Sequence, residues 1–473
     1  MRHYTKFLFC FLVLGVFFSL SYAQETPEKA IAPAEVDLIS EKGKDSIVRV
    51  GGRGSGFFIT KDKIATNFHV AVLFKRGPVF AKSWDKKTIW RVKGVTAFDI
   101  KSDIAILKTQ RKGVPLPLAD IETLQIGDTV FLAGYPNLGE YKITEGVVQD
   151  ISSSDKWLKT TVEAYPGNSG SPVLNSKGEA IGIHVGRYGA RPSSALKALL
   201  DSSTSTEPLE QWRKRKVVRA FVYYRQGKEK YYDGDAEAAI TDFNKVIELN
   251  PNDPQTYRYR AKAKAKLEDY HAAIEDYDKS IKLNPNNDST YKERGKAKRK
   301  ISDYEGAIDD YNQAIRLNPR DVFVYSGRAA TKDKLRDYAG AIKDYTQVIE
   351  LMELNPDDLD PELDAIYPYY IYTARGLAKH KLGDDAGAIE DFTNAIELEP
   401  DNPTAYHLYT ARGLAKHKLG DDAGAIEDFT NAIELEPDNP TAYHLRGHSK
   451  QDLGQEEAAQ SDFEKAMELE SAQ

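Results

Sequence analysis

The most informative motif of the N-terminal half is Gly-Asn-Ser-Gly-Ser-Pro at residues 167–172. Two earlier stretches accompany it, Thr-Asn-Phe-His-Val at 66–70 and Ser-Asp-Ile-Ala-Ile-Leu at 102–107. They present histidine, aspartate and serine in one of the chain orders by which unrelated folds assemble the same triad. Runs of β-branched and aromatic residues, punctuated by Gly, Pro, Asn and Asp, predict about ten short strands between 44 and 188. Such a density of strands indicates an all-β barrel or sandwich.

Three side chains and one glycine of these stretches suit nucleophilic catalysis. A serine hydroxyl is a poor nucleophile at neutral pH and needs a base within hydrogen-bond reach. We therefore expect Ser169 to attack, His69 to take and return its proton, and Asp103 to orient the imidazole. The backbone N–H groups of Gly167 and Ser169 would form the oxyanion hole. The alternative is a packed histidine, a capping aspartate and a turn serine in a catalytically silent scaffold.

These motifs resemble the trypsin-like serine peptidases over about residues 44–188, in particular the HtrA/Deg branch and the secreted glutamyl endopeptidases. The resemblance implies a chymotrypsin-like double barrel and serine endopeptidase activity on protein or peptide substrates, without a cofactor. HtrA/Deg proteins usually have glycine at the place of Ser171, whereas Gly-Ile-His at 182–184 matches the glutamyl endopeptidases. The remaining histidines show no metal-ligand spacing with carboxylates, so we expect no metal.

The specificity pocket remains open between two predictions. In glutamyl endopeptidases the histidine that matches His184 lines the primary pocket and favours a glutamate side chain. The threonine that assists it there is replaced by Ala164, and Glu163 lies one residue earlier. Glu163 either neutralises His184 or itself attracts a basic side chain.

The second half of the chain repeats. A Glu-Leu-Asn-Pro motif, or a near copy, recurs along this half. Three of its six spacings are 34 residues, two are 37 and one is 44. A period of 34 indicates tetratricopeptide repeats, each of which is a helical hairpin. We predict seven repeats over 217–471, stacked as an all-α solenoid. The longest spacing contains an insertion with Pro361 and Pro368, for which we predict a loop between Pro356 and Tyr372.

The first helices of repeats two and three are rich in basic residues. The positions that should line the concave face of the solenoid are Arg258, Lys262, Lys266, Lys292, Lys296, Arg299 and Lys300. A basic groove on a chain of net charge -7 suggests a protein partner with an acidic or C-terminal peptide. The alternative is a merely solvated helix face.

The remaining segments concern export and connection. A positive start, an apolar run and a small-residue site predict a signal peptide at 1–23, and hence a periplasmic or extracellular protein without a membrane span in the mature chain. We expect a flexible leader at 24–43 and a linker at 189–216. The single cysteine, Cys10, lies inside the signal, which excludes disulfides in the mature chain. The net acidic charge argues against a general nucleic-acid binder.

Overall fold

A computed structural model gives the structure of residues 33–73, 77–122, 124–151, 157–186, 189–203, 205–354, 366–399, 402 and 404–471. The chain divides into two compact units, Met1–Arg213 and Lys214–Gln473. The predicted signal peptide, 1–23, lies outside the described residues.

The first unit begins with helix α1, Pro33–Lys44, and a six-stranded barrel. The strands of this barrel are β1 Ile47–Val50, β2 Gly54–Thr60, β3 Lys63–Asn67, β4 Phe80–Lys82, β5 Ile89–Asp99 and β6 Ile104–Thr109. They pair antiparallel in the order β5-β4-β1-β2-β3-β6, and pairing of β5 with β6 closes the barrel. A one-and-a-half-turn helix, α2 (Phe68–Val72), follows β3 directly. The interior is apolar, with Phe57 and Ile106 fully buried.

The second barrel is also closed and antiparallel. Its strands are β7 Thr129–Gly134, β8 Lys142–Ile151, β9 Leu158–Thr160, β10 Pro172–Leu174, β11 Ala180–His184 and β12 Ala190–Pro192. They follow one another in the order β10-β11-β12-β9-β8-β7, and β7 pairs with β10 to complete the ring. Val130, Leu132, Val173 and Ile181 pack together as its core. The predicted double-barrel fold is confirmed.

The predicted leader differs from the structure where it is described. Residues 33–44 form helix α1 rather than a flexible segment. Ile39 of this helix is 2% exposed and packs with Ile47 and Tyr135 in the domain core. Burial of an isoleucine side chain is worth about 1.5–3 kcal/mol, which holds the helix on the barrels.

The predicted linker is also a folded part of the first unit. After β12 the chain forms α3 (Ser193–Asp201), β13 (Glu207–Pro208) and α4 (Leu209–Trp212). Strand β13 pairs with β5, and the indole of Trp212 is fully buried with ring contacts to Phe68 and Phe98. Apolar residues spaced within a polar stretch therefore anchor this segment, and the unit ends near residue 213.

The second unit consists of helical hairpins. Its described helices are α5 Lys216–Tyr232, α6 Ala236–Leu249, α7 Pro254–Lys266, α8 Tyr270–Leu283, α9 Asp288–Lys300, α10 Tyr304–Leu317, α11 Val322–Lys334, α12 Tyr338–Leu354, α13 Ile366–Leu382, α14 Asp385–Leu398, α15 Tyr406–Lys418, α16 Asp422–Leu435, α17 Pro440–Asp452 and α18 Glu456–Ser471. A small residue on each first helix admits an aromatic ring from the second. A Cβ at Gly413, for example, would lie 2.7 Å from the ring of Phe429. The repeat solenoid predicted from the 34-residue period is confirmed.

The insertion in the fifth repeat is partly helical. Residues 355–365 lie outside the described part, but α13 already begins at Ile366 and contains Pro368. A proline in the first helical turn loses no backbone hydrogen bond, because the first four N–H groups have no partner within the helix. The loop predicted up to Tyr372 therefore ends at least six residues earlier. No helix of the described part is long and apolar enough to cross a bilayer.

A ladder of ion pairs runs through the hairpins. In six of them an arginine of the first helix forms a bidentate pair with a buried aspartate 16 residues later: Arg260–Asp276, Arg294–Asp310, Arg328–Asp344, Arg375–Asp391, Arg412–Asp428 and Arg446–Asp462. A lysine one turn after each arginine contacts the same carboxylate, as Lys416 does at 2.9 Å from Asp428. The constant spacing of 16 residues between arginine and aspartate is a sequence signal from which this ladder could have been predicted.

Candidate active site

His69 and Asp103 form a fixed pair in the first barrel. His69 is the second residue of α2, and Asp103 lies in the turn between β5 and β6. The imidazole Nδ1 lies 2.5 Å from Asp103 Oδ2, and the His69 backbone N–H donates to Asp103 Oδ1 at 2.8 Å. The Asn67 amide donates to the Asp103 carbonyl oxygen at 3.0 Å, which fixes the turn.

The turn at Asp103 holds an uncommon backbone conformation. Its φ of 53° lies in the left-handed region, where few residues other than glycine occur. Both side chains of the pair remain 18% exposed, so the ring is accessible from solvent. A carboxylate on Nδ1 fixes the proton there and leaves Nε2 of His69 as the acceptor.

Ser169 lies in the turn that precedes β10 and packs beside α2. Its carbonyl oxygen accepts a hydrogen bond from the Ser55 N–H at 2.9 Å. Gly54 permits this approach, because a Cβ there would lie 2.8 Å from the Ser169 oxygen and 2.7 Å from Val70 Cγ2. Within the described part of the chain, no hydrogen bond joins the Ser169 hydroxyl to the His69 ring. Such bonds are often long before substrate binds.

The turn around Gly167 presents backbone donors. The Gly167 carbonyl oxygen accepts a hydrogen bond from Ser55 Oγ at 2.9 Å, and the preceding Pro166 carbonyl oxygen accepts one from the Asn137 N–H. Gly167 has φ 100°, and a Cβ there would lie 2.4 Å from the Tyr135 carbonyl oxygen. Among the described residues, no acceptor is paired with the N–H groups of Gly167 and Ser169. Two unpaired amides next to a serine are what a developing oxyanion requires.

His184 ends β11 and is tied to the same turn. Its N–H donates to the Ser171 carbonyl at 2.8 Å, and its carbonyl accepts from the Gly170 N–H at 3.1 Å. The residue is 4% exposed, and its Nδ1 has no hydrogen-bond partner among the described residues. Burial, with a smaller effect of the nearby His69 charge, lowers the pKa of His184 to about 4. The imidazole is therefore neutral at pH 7.

Glu163 and Ala164 lie on the exposed surface of the second barrel. The Glu163 carboxylate accepts from the Tyr165 hydroxyl at 2.6 Å, and its carbonyl accepts from Thr144 Oγ1 at 2.9 Å. The charge that acts on His184 is that of His69, and Glu163 is not among the causes of its pKa shift. The structure thus places Glu163 on Tyr165, and burial rather than this carboxylate keeps His184 neutral.

The predicted groove cations fall into two groups. Lys292 forms a 2.6 Å pair with Asp321, Lys296 lies 3.8 Å from Glu293, and Arg299 lies beside the buried Tyr311. Lys296, Arg299 and Lys300 line a cavity of about 500 Å³.

The other group lies on aromatic rings of the first two repeats. Lys262 and Lys266 lie 5.4 and 5.5 Å from the centroid of the Tyr231 ring, and Arg258 lies 5.2 Å from that of Tyr259. These three cations form no ion pair with a carboxylate in the described part of the chain.

One imidazole in the repeats has two carboxylate neighbours. His417 Nδ1 lies 2.5 Å from Asp422 Oδ1 and 3.8 Å from Asp452 Oδ2. Two ligands of one zinc ion lie about 3.3 Å apart when each is about 2 Å from the metal. The shorter separation is that of a hydrogen-bonded ion pair. Within the described residues this is the one cluster of three potential ligands.

Two closed six-stranded barrels that carry a His69–Asp103 pair and the Ser169 turn have the arrangement of a trypsin-like peptidase domain. The family model described as trypsin-like peptidase domain matches residues 54–183. Models of the tetratricopeptide repeat match residues 224–288, 290–321, 369–402, 413–454 and 440–473. The chain therefore joins a trypsin-like peptidase domain to tetratricopeptide repeats.

Curated relatives of this chain include proteins described as serine proteases. A "Probable periplasmic serine endoprotease DegP-like" of Hahella chejuensis is 34% identical over 143 residues, 28% of this chain and 30% of that protein. A protein of the same description from Rhizobium meliloti is 34% identical over 175 residues, 33% of this chain and 34% of that protein. A Do-like protease of Arabidopsis thaliana is 32% identical over 213 residues, 41% of this chain and 48% of that protein. The chain thus spans less than half the length of these HtrA/DegP-like relatives.

Proposed function

We propose that the chain is an exported serine endopeptidase whose repeats recruit protein substrates or a regulatory partner. The observation that carries the proposal is the His69–Asp103 pair, with Ser169 and two unpaired amides in the adjoining turn. Relatives described as periplasmic support export, together with the apolar run that precedes residue 23. Tetratricopeptide repeats provide extended concave surfaces for protein partners.

The catalytic cycle follows from the positions of these groups. Ser169 Oγ forms a bond to the scissile carbonyl carbon while its proton passes to His69 Nε2. The negative charge moves to the carbonyl oxygen, which the N–H groups of Gly167 and Ser169 stabilise. Asp103 stabilises the imidazolium, which then protonates the leaving amine as the C–N bond breaks. Water, deprotonated by His69, cleaves the acyl-enzyme and regenerates the serine.

The acyl-side pocket would present a neutral His184. A neutral imidazole offers one N–H donor and demands no charge on the substrate side chain, so both glutamine and glutamate are accommodated. Bound glutamate favours the protonated imidazole. The ratio of kcat/KM for glutamyl over glutaminyl substrates should therefore rise as pH falls from 7 to 5. Any pH effect that is common to both substrates cancels in this ratio, so a flat ratio contradicts the role of His184.

The repeats would bind an acidic peptide through the cations that remain unneutralised. Lys262 and Lys266 are better candidates than Lys292 and Lys296, which have carboxylate neighbours of their own. Exchange of both candidates for glutamine should weaken an acidic peptide ligand, whereas exchange of Lys292 should change little.

Covalent labelling tests the enzymatic proposal directly. A fluorophosphonate probe should modify the wild-type chain at Ser169, and Ser169→Ala should abolish labelling while the fold, measured by circular dichroism, stays intact. Absence of labelling in a folded wild-type chain supports the competing function, a silent peptidase-like domain in a binding scaffold. The missing Ser169–His69 hydrogen bond is the observation that favours that alternative.

A further inference from the structure

A cavity of about 530 Å³ lies in the first barrel beside the proposed active site. Arg49, Arg53, Lys82 and Lys86 line it, with Leu73 and Phe80 as apolar walls. We call this site the cationic pocket. Its size falls within the roughly 300–1,000 Å³ of ordinary ligand pockets.

The cationic pocket adjoins the reactive groups on the His69 side. Leu73 directly follows helix α2, which carries His69. Arg53 precedes Gly54, whose Cβ position lies 2.8 Å from the Ser169 carbonyl oxygen. Because His69 gives its proton to the leaving amine, the residues after the scissile bond must pass over the barrel that carries α2.

The cations of the cationic pocket lack acidic partners among the described residues. Arg49 and Lys82 lie directly opposite in the β1–β4 pair, an arrangement that is destabilising for like charges. Within the described part of the chain, none of the four cations forms an ion pair or donates a side-chain hydrogen bond. Asp85, the acidic residue of the same turn, accepts instead from Ser83 Oγ at 2.5 Å and from the Lys87 N–H at 3.0 Å.

The surrounding sequence offers few acidic residues that could neutralise them. Residues 47–91 contain ten Lys and Arg and two Asp, although the whole chain has a net charge of -7. A local excess of this kind, kept against its own repulsion, points to an anionic ligand.

Resting on the proposed endopeptidase function, we propose that the cationic pocket binds acidic side chains on the leaving-group side of the scissile bond. The ligand class is a peptide with aspartate or glutamate within the first three residues after cleavage. The pocket thus determines specificity on the side of the substrate opposite to His184.

The test uses the full chain and quenched fluorescent peptides that share one acyl half. Their leaving halves carry Glu-Glu, Gln-Gln or Lys-Lys. An exposed ion pair contributes about 0.2–1 kcal/mol, so two pairs with about 0.5 kcal/mol each should raise kcat/KM for Glu-Glu about fivefold over that for Gln-Gln. The preference should fall between 0.05 and 1 M salt, because the screening length shrinks to about 3 Å.

Two variants locate the preference. Arg53→Gln with Lys82→Gln should reduce the Glu-Glu preference to below twofold, whereas the matched control Lys87→Gln, on an exposed lysine of the same turn, should retain it. Fluorophosphonate labelling involves no leaving peptide, so its rate should be equal in the wild type, the double variant and the control. Equal labelling also shows that the variants are folded.

The outcomes separate the two proposals. A wild-type chain that neither labels nor cleaves refutes the endopeptidase function. A chain that labels and cleaves with equal rates for Glu-Glu and Gln-Gln refutes the pocket assignment alone. A preference that survives in the double variant refutes it as well, since other groups then recognise the acid.

Discussion

Replacement of Gly167 by alanine tests the backbone of the proposed oxyanion hole. At φ 100° an L-residue costs roughly 1–2 kcal/mol more than glycine. The new Cβ would also lie 2.4 Å from the Tyr135 carbonyl oxygen and 2.8 Å from the Leu138 nitrogen. Both neighbours are backbone atoms, so the Gly167 peptide itself must rotate.

Rotation of this peptide removes one of the two N–H donors. Loss of a single oxyanion donor lowers kcat by about 10²–10³, or about 2.7–4 kcal/mol of transition-state stabilisation. We expect kcat of Gly167→Ala to fall by that factor with KM nearly unchanged, because the donor acts on charge that develops only in the transition state. Fluorophosphonate labelling should slow in parallel.

Gly127→Ala is the matched control. Gly127 has φ 91°, yet no atom lies within 4 Å of its Cβ position. It should therefore incur the same backbone penalty, about 1–2 kcal/mol in unfolding by urea, without the collision. Its kcat should equal that of the wild type.

Two outcomes of this comparison would contradict the proposed role of the Gly167 amide. If Gly167→Ala retains more than half of the wild-type kcat, the amide of residue 167 does not stabilise the transition state. If Gly127→Ala loses as much activity, the effect is one of domain stability and carries no information about the oxyanion hole.

Three further predictions address other parts of the structure. Asp103→Asn should lower kcat by about 10⁴ while stability changes little, since the imidazole loses its correct tautomer; pre-steady-state acylation rates decide this. His184 has a lowered pKa of about 4, so the unfolded state binds more protons below pH 6.5, and the peptidase unit should lose up to about 3 kcal/mol between pH 6.5 and 4. His184→Gln should remove that slope from the urea transition. Arg412→Gln should destabilise the repeats by about 3 kcal/mol in urea, because buried Asp428 keeps only Lys416, whereas exposed Arg316→Gln should leave them unchanged.

The sequence is sufficient for the double barrel and for the neighbourhood of its site. His69 and Asp103 lie in short stretches whose local structure is fixed by their own strand and turn residues. Each residue can be recognised in the sequence before the barrel is known. The barrel then places His69 Nδ1 2.5 Å from Asp103 Oδ2. The unpaired amides of the Gly167 turn follow from the same glycine-rich stretch.

The end of the peptidase unit could not be read in the same way. Residues 189–216 contain a Ser/Thr run and a basic run, which are typical of solvated segments. Their anchoring depends on Leu209 and Trp212, whose burial is set by a surface of the first barrel that is distant in sequence. Only the folded barrel supplies Phe68 and Phe98 as partners for the indole.

The charge state of His184 also depends on the three-dimensional fold and could not be predicted from the sequence. A histidine in Gly-Ile-His carries no sequence mark of how deeply it lies. Its 4% exposure, rather than the neighbouring Glu163, decides that it is neutral. A carboxylate one or two residues from a predicted pocket is thus weak evidence for an ion pair, since Glu163 finds Tyr165 instead.

Whether a cation is available to a ligand depends on the acids within its own folded unit. In the repeats, Lys292 forms a 2.6 Å ion pair with Asp321 of the following hairpin, which neutralises its charge within the solenoid. In the first barrel, the segment between residues 47 and 91 contains ten lysine and arginine residues and two aspartates, so acids of the same segment can neutralise only a minority of these charges. The local balance of cations and acids therefore predicts an anion site better than the richness in lysine of a single helix face. By this criterion the cationic pocket and the Lys262–Lys266 pair are candidate sites for acidic ligands, whereas Lys292 is not.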